Sequence, residues 1–166
     1  MSALLSECGR YRYTLQRQIP QPVRWVKHCL FIMLNPSTAD AKKDDPTIRR
    51  CINFAKREGS TILTVANLFA LRSTDPSILA MDHDSIGPDN DGHLEEQIYK
   101  HSSGIHMIVV AWGAHKMAFR RMEKVGPMLK SAYCLGTTKS GAPKHPLYVL
   151  NDQPLVEFDR KLYEAR

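Results

Sequence analysis

The sequence predicts a three-layer α/β/α fold: one domain over residues 1–166, built on a mostly parallel central sheet of about four strands. Two observations carry that expectation. The segments CLFIMLN, TILTVA and HMIVVAW are apolar without alternation, the pattern of strands covered on both faces. Segments with helical spacing lie between them, and strands that alternate with helices imply parallel pairing through crossovers. At 166 residues the chain is long enough for a sizeable core.

Along the chain, RYRYTLQRQ alternates Tyr11, Tyr13 and Leu15 with polar residues, the period of a half-buried strand, and IPQP leading to Trp25 suggests a hairpin-like start. CLFIMLN ends abruptly on Asn35-Pro36-Ser37-Thr38. The next helix is well punctuated. Asp45 suits the cap and Pro46 the first turn; Ile48, Cys51, Ile52 and Ala55 share a face, and Gly59 ends the run. TILTVA ends on Asn67, and NLFALRSTDPSIL reads as a loop entering a short helix. SIGPDNDG is a turn before a helix around His93 to His101; HMIVVAW ends at Gly113, and a helix runs from Ala114 to about Val125. SAYCLG is a fourth strand, TTKSGAPKHPLY a loop, and a helix near Pro154 to Glu164 closes the chain.

Function classes narrow by absence. No apolar run approaches the roughly 20 residues of a membrane helix, so no membrane partner is expected. The first residues lack a signal peptide's order of charge, apolar core and cleavage site, which predicts a cytoplasmic protein, and nothing suggests more than a monomer. Cys8, Cys29, Cys51 and Cys134 form no C-x-x-C pair and the histidines show no H-E-x-x-H spacing, so neither metal nor cofactor is expected. The phosphate-binding, dinucleotide and nucleophile-elbow glycine motifs are missing too. Net charge is +6, and from His115 to His145 seven Lys or Arg face one acid, Glu123; such a face suits DNA or is simply solvated.

In an α/β sheet, ligands bind beyond the carboxyl ends of the parallel strands. Asn35-Pro36-Ser37-Thr38, Asn67 and Trp112-Gly113 all sit at such ends, and the last loop adds His145. Each is weak evidence alone: Asn-Pro-Ser makes turns, Asp45 caps a helix, and His145 could lie on the surface. Their convergence at one edge marks a pocket.

The string MLNPSTAD…DDPTIRR…VANLFALRSTDP…VVAWGAHK…GAPKHPLY resembles an uncharacterised bacterial and phage family of unknown function. More distantly, the same landmarks resemble the uracil-DNA glycosylase superfamily. Asn35-Pro36 matches a first motif, Asn67 with Arg72 and Pro76 a second, Trp112-Gly113 a third, and His145-Pro146-Leu147 a late His-Pro motif. That resemblance implies a glycosylase-like fold and hydrolysis of the N-glycosidic bond of a flipped-out base in DNA. Asn35 would position water, Asp40 or Asp45 would face the sugar cation, and His145 would stabilise the departing base. Asp40, with no evident capping duty, is the preferred acid. Pro36, Ser37, Asp45 and Asn67 would hold the base, Leu147 would fill the vacated stack, and Arg49, Arg72, Lys139 and Lys144 would meet phosphates. Leu34 replaces the glycine that usually opens the first motif, the iron–sulfur cysteines of some branches are missing, and no aromatic matches the one that stacks on uracil. A modified pyrimidine, such as hydroxymethylated or glucosylated cytosine of phage DNA excised in defence, is the expected substrate. A binding module without catalysis and an N-glycosidase for free nucleosides or nucleotides are the alternatives.

Overall fold

The computed structural model describes residues 1–161. In chain order the elements are β1 (Ser2–Leu5), β2 (Arg12–Gln18), β3 (His28–Met33), α1 (Pro46–Arg57), β4 (Ile62–Asn67), α2 (Ile78–Met81), α3 (Asn90–His101), β5 (Met107–Val110), α4 (Lys116–Val125), β6 (Tyr133–Cys134) and β7 (Val156–Glu157). Single 3₁₀ turns occupy Gly126–Met128 and Pro146–Tyr148. Among the described residues, no helix is long and apolar enough to cross a membrane.

The strands form one seven-stranded sheet in the order β1-β2-β4-β3-β5-β6-β7. Parallel pairing joins β4, β3, β5 and β6, the strands that the apolar runs predict. The sheet as a whole is mixed, not mostly parallel and four-stranded, because β1–β2, β2–β4 and β6–β7 pair antiparallel. The added edge strands have little period to read: β1 spans four residues and β7 two. The expected hairpin toward Trp25 does not form. β2 pairs instead with β1 before it, while Pro20 and Pro22 can donate no ladder hydrogen bond and Trp25 lies exposed. The helix expected from Pro154 is also displaced. Val156–Glu157 pairs with β6, the Phe158 N–H donates to the Ala132 carbonyl at 2.8 Å, and the Phe158 ring stands edge-on to Trp112. Helical residues start at Arg160, and the remainder of that expected helix lies outside the described residues.

Helices cover both faces of the sheet. Ile48, Cys51, Phe54 and Ala55 of α1 pack on Phe31, Leu63, Val65 and Val109. On the other face, Leu94 and Ile98 of α3 with Ala118 and Met122 of α4 pack on Leu30, Ile32, Ala66 and Val110. Side chains alternate along β3, so its unbroken apolar run is what two buried faces require.

Two buried arginines of β2 break the expected pattern of polar residues facing solvent. Arg17 pairs with Asp44 through Nε at 2.7 Å and donates to the carbonyls of Ser2, Gln16 and Asp40. Arg12 donates to the Ala39 carbonyl. Together they tie residues 39–44 to the sheet and place Asp45, whose Oδ1 accepts from the Ile48 N–H at 2.8 Å and caps α1. Two acids between α2 and α3 also have internal work: the Tyr11 hydroxyl donates to Asp84 at 2.6 Å and that of Tyr13 to Asp89 at 3.1 Å. The bond to Asp84 pushes the Tyr11 phenol up to about 12.

At the amino end of β3, His28, His101 and His106 gather with ring centroids 4.9 to 6.0 Å apart. The His28 N–H donates to His106 Nδ1 at 3.2 Å, and the Nε2 of His101 is buried without a partner. Burial holds His28 and His101 below the ordinary value of 6.5. Each therefore binds a proton more readily in the unfolded chain, so stability is full above that value and falls as pH drops below it. We expect the urea midpoint to be lower at about pH 5.5 than at about pH 7.5, above the carboxylate range. His101→Gln should flatten this slope; a midpoint independent of pH in that window contradicts the prediction.

Candidate functional site

The carboxyl ends of the parallel strands open into a pocket of about 380 Å³. Asn35 and Ser37 come from the end of β3, Asn67 from the end of β4, Gly113 and His115 from the segment after β5, and His145 and Leu147 from the last loop. Asp45 and Thr47 enter from the start of α1, and Arg12 from β2.

The Asn35 amide is oriented by the backbone. Its Nδ2 donates to the carbonyls of Ser73 at 3.0 Å and Pro36 at 3.2 Å, while the Ser73 N–H closes the turn onto the Pro36 carbonyl at 2.9 Å. With the NH₂ group engaged, Oδ1 is the acceptor left for a ligand or water.

Asn67 is the opposite case. It is 1% exposed, and neither Nδ2 nor Oδ1 has a hydrogen-bond partner in the protein. A buried amide without partners is costly, roughly 1–3 kcal/mol per unmet group. Its backbone, by contrast, is tightly held. The buried Asn90 donates to the carbonyls of Asn67 at 3.1 Å and Leu68 at 3.2 Å. Arg121 donates through Nε to the Leu68 carbonyl at 3.0 Å and pairs through Nη2 with Asp91. The fold fixes the main chain here and leaves the side chain for something else.

His145 caps the 3₁₀ turn Pro146–Tyr148, with Nδ1 accepting from the Leu147 N–H at 3.3 Å. His115 caps α4 in the same way, its Nδ1 accepting from the Met117 N–H at 3.3 Å. An accepting Nδ1 carries no proton, so in the neutral ring Nε2 carries it and is the donor left for a ligand. Burial lowers the pKa of His145, and the Asp45 carboxylate partly offsets that shift. Gly113 adopts a φ of 80°, and a side chain there would stand against the Cβ of His145 at 3.6 Å. The last loop is anchored to α1 by Arg50, whose Nε donates to the Pro146 carbonyl at 3.1 Å and Nη2 to that of Val149.

The structure brings Asn35, Ser37, Asp45, Asn67, His145 and Leu147 into this pocket. It does not bring Asp40 there. That carboxylate accepts from the N–H groups of Lys42 at 2.7 Å and Lys43 at 2.9 Å, which caps a turn and holds its pKa below the usual range. Pro36 is buried behind Asn35 and does not line the pocket. Of the expected phosphate contacts, Arg72 donates to the Gly9 carbonyl at 3.2 Å and Arg49 to that of Asp44 at 2.8 Å. Lys139 is exposed and Lys144 half-buried; neither lines the pocket. The basic stretch is partly neutralised from within, since Arg121 and Lys124 both pair with Asp91.

Sequence reading missed Arg12, Thr47, His115 and Tyr148, which also line the pocket. The one available signal for His115 was its place between a strand-ending glycine and a helix, where a side-chain acceptor is needed. Among the described residues, no three His, Cys, Asp or Glu side chains are disposed to hold a metal ion.

The family described as a protein of unknown function, DUF1643, matches residues 12–147, and the chain belongs to that family. The matched region runs from Arg12 to Leu147 and so takes in nearly all of the pocket. Neither the curated proteins nor the solved structures contain a match.

The tautomer and burial of His145 are open to direct measurement. An NMR titration should place its midpoint below the ordinary 6.5, with the neutral proton on Nε2. A midpoint at or above that value, or a proton on Nδ1, contradicts the geometry.

Proposed function

We propose that this protein is a monofunctional DNA glycosylase, which hydrolyses the N-glycosidic bond of a modified pyrimidine extruded from DNA. The observation that carries the reading is Asn67: a buried carboxamide, with both donor and acceptor unmet, facing a pocket of about 380 Å³. A pyrimidine edge presents the complementary acceptor and donor. The motifs that resemble the uracil-DNA glycosylase superfamily supply Asn35, Asn67, Gly113 and His145 to this one pocket, which supports the resemblance and the fold relationship it implies.

Hydrolysis breaks the sugar–base bond and delivers the water oxygen to the sugar and a proton to the base. Positive charge grows on the sugar and negative charge on the base as the bond stretches. Asn35 Oδ1 holds the water by accepting one of its hydrogens. An amide is a poor base, so the water is captured late, once the sugar is largely cationic. Asp45 is the acid placed to face that cation, in place of Asp40, as carboxylates do in glycoside hydrolysis. His145 donates its Nε2–H to a base carbonyl as charge accumulates there, an oxyanion-type stabilisation for which a neutral imidazole suffices.

Reaching a base in DNA requires extrusion, at a cost of about a few kcal/mol when it starts in a duplex. Leu147 and Tyr148, 42% and 83% exposed at the rim, are placed to fill the vacated stack. Lys139, Lys144 and Arg49 would contact phosphates outside the pocket and contribute position rather than base choice. Cytosine with a hydroxymethyl or glucosyl group, as in phage DNA, is the substrate we favour, which would make the activity a defence. The protein would act as a monomer in the cytoplasm.

Free nucleosides or nucleotides are the second reading, favoured by the internal pairing of Arg121 and Lys124, which thins the basic face. Incubation with DNA bearing hydroxymethylcytosine, glucosylated cytosine or uracil, followed by alkali, distinguishes these readings. We expect strand breaks at the modified cytosine. Asn35→Ala and Asp45→Asn should each slow excision on the order of a hundredfold, whereas Asp40→Ala should leave it unchanged. Breaks on none of these substrates would sink the glycosylase reading, and turnover of mononucleosides alone would replace it with the second. Lys144→Ala should weaken DNA binding at every sequence and make its salt dependence shallower.

A further inference from the structure

We infer that Arg12 is a specificity-determining residue of the pocket, and that the bound base carries an oxygen acceptor on a substituent outside its pyrimidine ring. The inference rests on the glycosylase reading for the identity of the ligand, but not for the presence of an unmet donor.

Arg12 and Arg17 form a natural comparison. They lie on the same strand and are 2% and 1% exposed. Arg17 has an ion pair to Asp44 and three backbone carbonyls around its guanidinium. Arg12 has one, the Ala39 carbonyl at Nη1, and its Nε is buried with no partner. Arg121 and Arg50 are also better matched: Arg121 holds Leu68 and Asp91, and Arg50 holds two carbonyls of the last loop. Half-buried Arg72 shares the pattern of Arg12, with the Gly9 carbonyl alone and an Nε that has no partner, but it does not line the pocket. A guanidinium has five N–H donors and no acceptor, so whatever meets it must offer oxygen or another acceptor.

Among the described residues, no carboxylate fills that need, and no ion pair includes Arg12. Asp45 is the acid that most favours its charge, yet no hydrogen bond or ion pair joins the two; the Asp45 oxygens accept instead from the Ile48 N–H at 2.8 Å and the Ala39 N–H at 3.4 Å. Burial lowers the Arg12 pKa to about 10, which leaves the group charged at neutral pH.

Position supplies the rest. Arg12 and Asn67 belong to the neighbouring strands β2 and β4 and line the same pocket. Asn67 has one donor group and one acceptor, which a pyrimidine edge consumes. Arg12 beside it then meets what projects from that edge. A hydroxyl, a sugar or a carboxylate satisfies it, whereas a methyl group of similar size buries a charged donor against carbon. A site built to hydrogen-bond a substrate group rejects the analogue that lacks it far more strongly than a hydrophobic pocket rejects an extra one.

The test compares oligonucleotides that differ only at one cytosine: unsubstituted, 5-methyl, 5-hydroxymethyl and 5-carboxyl. Binding affinity and base release are measured for the wild type, Arg12→Lys and Arg12→Gln, with circular dichroism to verify folding. For the wild type we expect both oxygenated bases to bind at least about tenfold tighter than 5-methylcytosine. The hydroxymethyl and carboxyl arms report whether a neutral or an anionic oxygen is preferred. Arg12→Gln should bring the ratio of oxygenated to methyl substrate close to one, and Arg12→Lys should retain part of it. A merely structural Arg12 would change all substrates equally. Equal wild-type binding of the methyl and oxygenated bases, or an unchanged ratio in Arg12→Gln, overturns the inference. Because the wild-type comparison needs no variant, misfolding of Arg12→Gln does not protect it. Selective binding without base release would reject the glycosylase reading while leaving the role of Arg12 intact.

Discussion

The end of β4 is the point on which the site depends. Asn90 and Arg121 meet the carbonyls of Asn67 and Leu68, and the Leu68 and Phe69 N–H groups return to the carbonyls of Met33 and Leu34. The main chain beyond the sheet is thereby satisfied within the fold, by Asn90, Arg121 and the end of β3. Buried backbone polar groups must find partners somewhere, and here none of them uses the Asn67 side chain. The Asn67 side chain alone is left facing the opening. A fold that needed that amide for its own hydrogen bonding could not offer it to a ligand.

The same economy governs the rest of the pocket. Each histidine spends Nδ1 on a helix or turn cap and keeps Nε2; Asn35 spends its NH₂ and keeps its oxygen. Half of each polar group secures orientation, and the other half remains open to a ligand, which is how a rigid site is preorganised without closing it. Arg12 and Asn67 go further and leave buried atoms unmet, a local instability offset by the packed faces of the sheet. Such a trade is what a binding site requires, since groups already satisfied have little to gain from a ligand.

Much of this was legible in the sequence, for identifiable reasons. Unbroken apolar runs located β3, β4 and β5, and Asp45-Pro46 announced the start of α1 where it occurs. Polar punctuation at strand ends pointed to the pocket, because parallel strands bring their carboxyl ends to one edge. The edge strands were not legible, since two or four residues hold too little period, and pairing by β1 is decided by its partner. The choice between Asp40 and Asp45 was also out of reach. In the sequence a cap is a sufficient duty for Asp45, but Asp45 both caps α1 and lines the pocket, whereas Asp40 is occupied by the N–H groups of Lys42 and Lys43. Arg12 was hidden by alternation: β2 lies between β1 and β4, and its polar positions turn inward at Arg12 and Arg17.

In the proposed function, the buried amide of Asn67 meets a base. Its side-chain NH₂ resonance, followed by NMR in isotopically labelled protein, tests this most directly, and that of Asn90, bonded to backbone on both counts, is the internal control. On addition of a DNA strand bearing 5-hydroxymethylcytosine, we expect a large shift at Asn67 and little at Asn90. DNA binding that leaves the Asn67 resonance in place would contradict it.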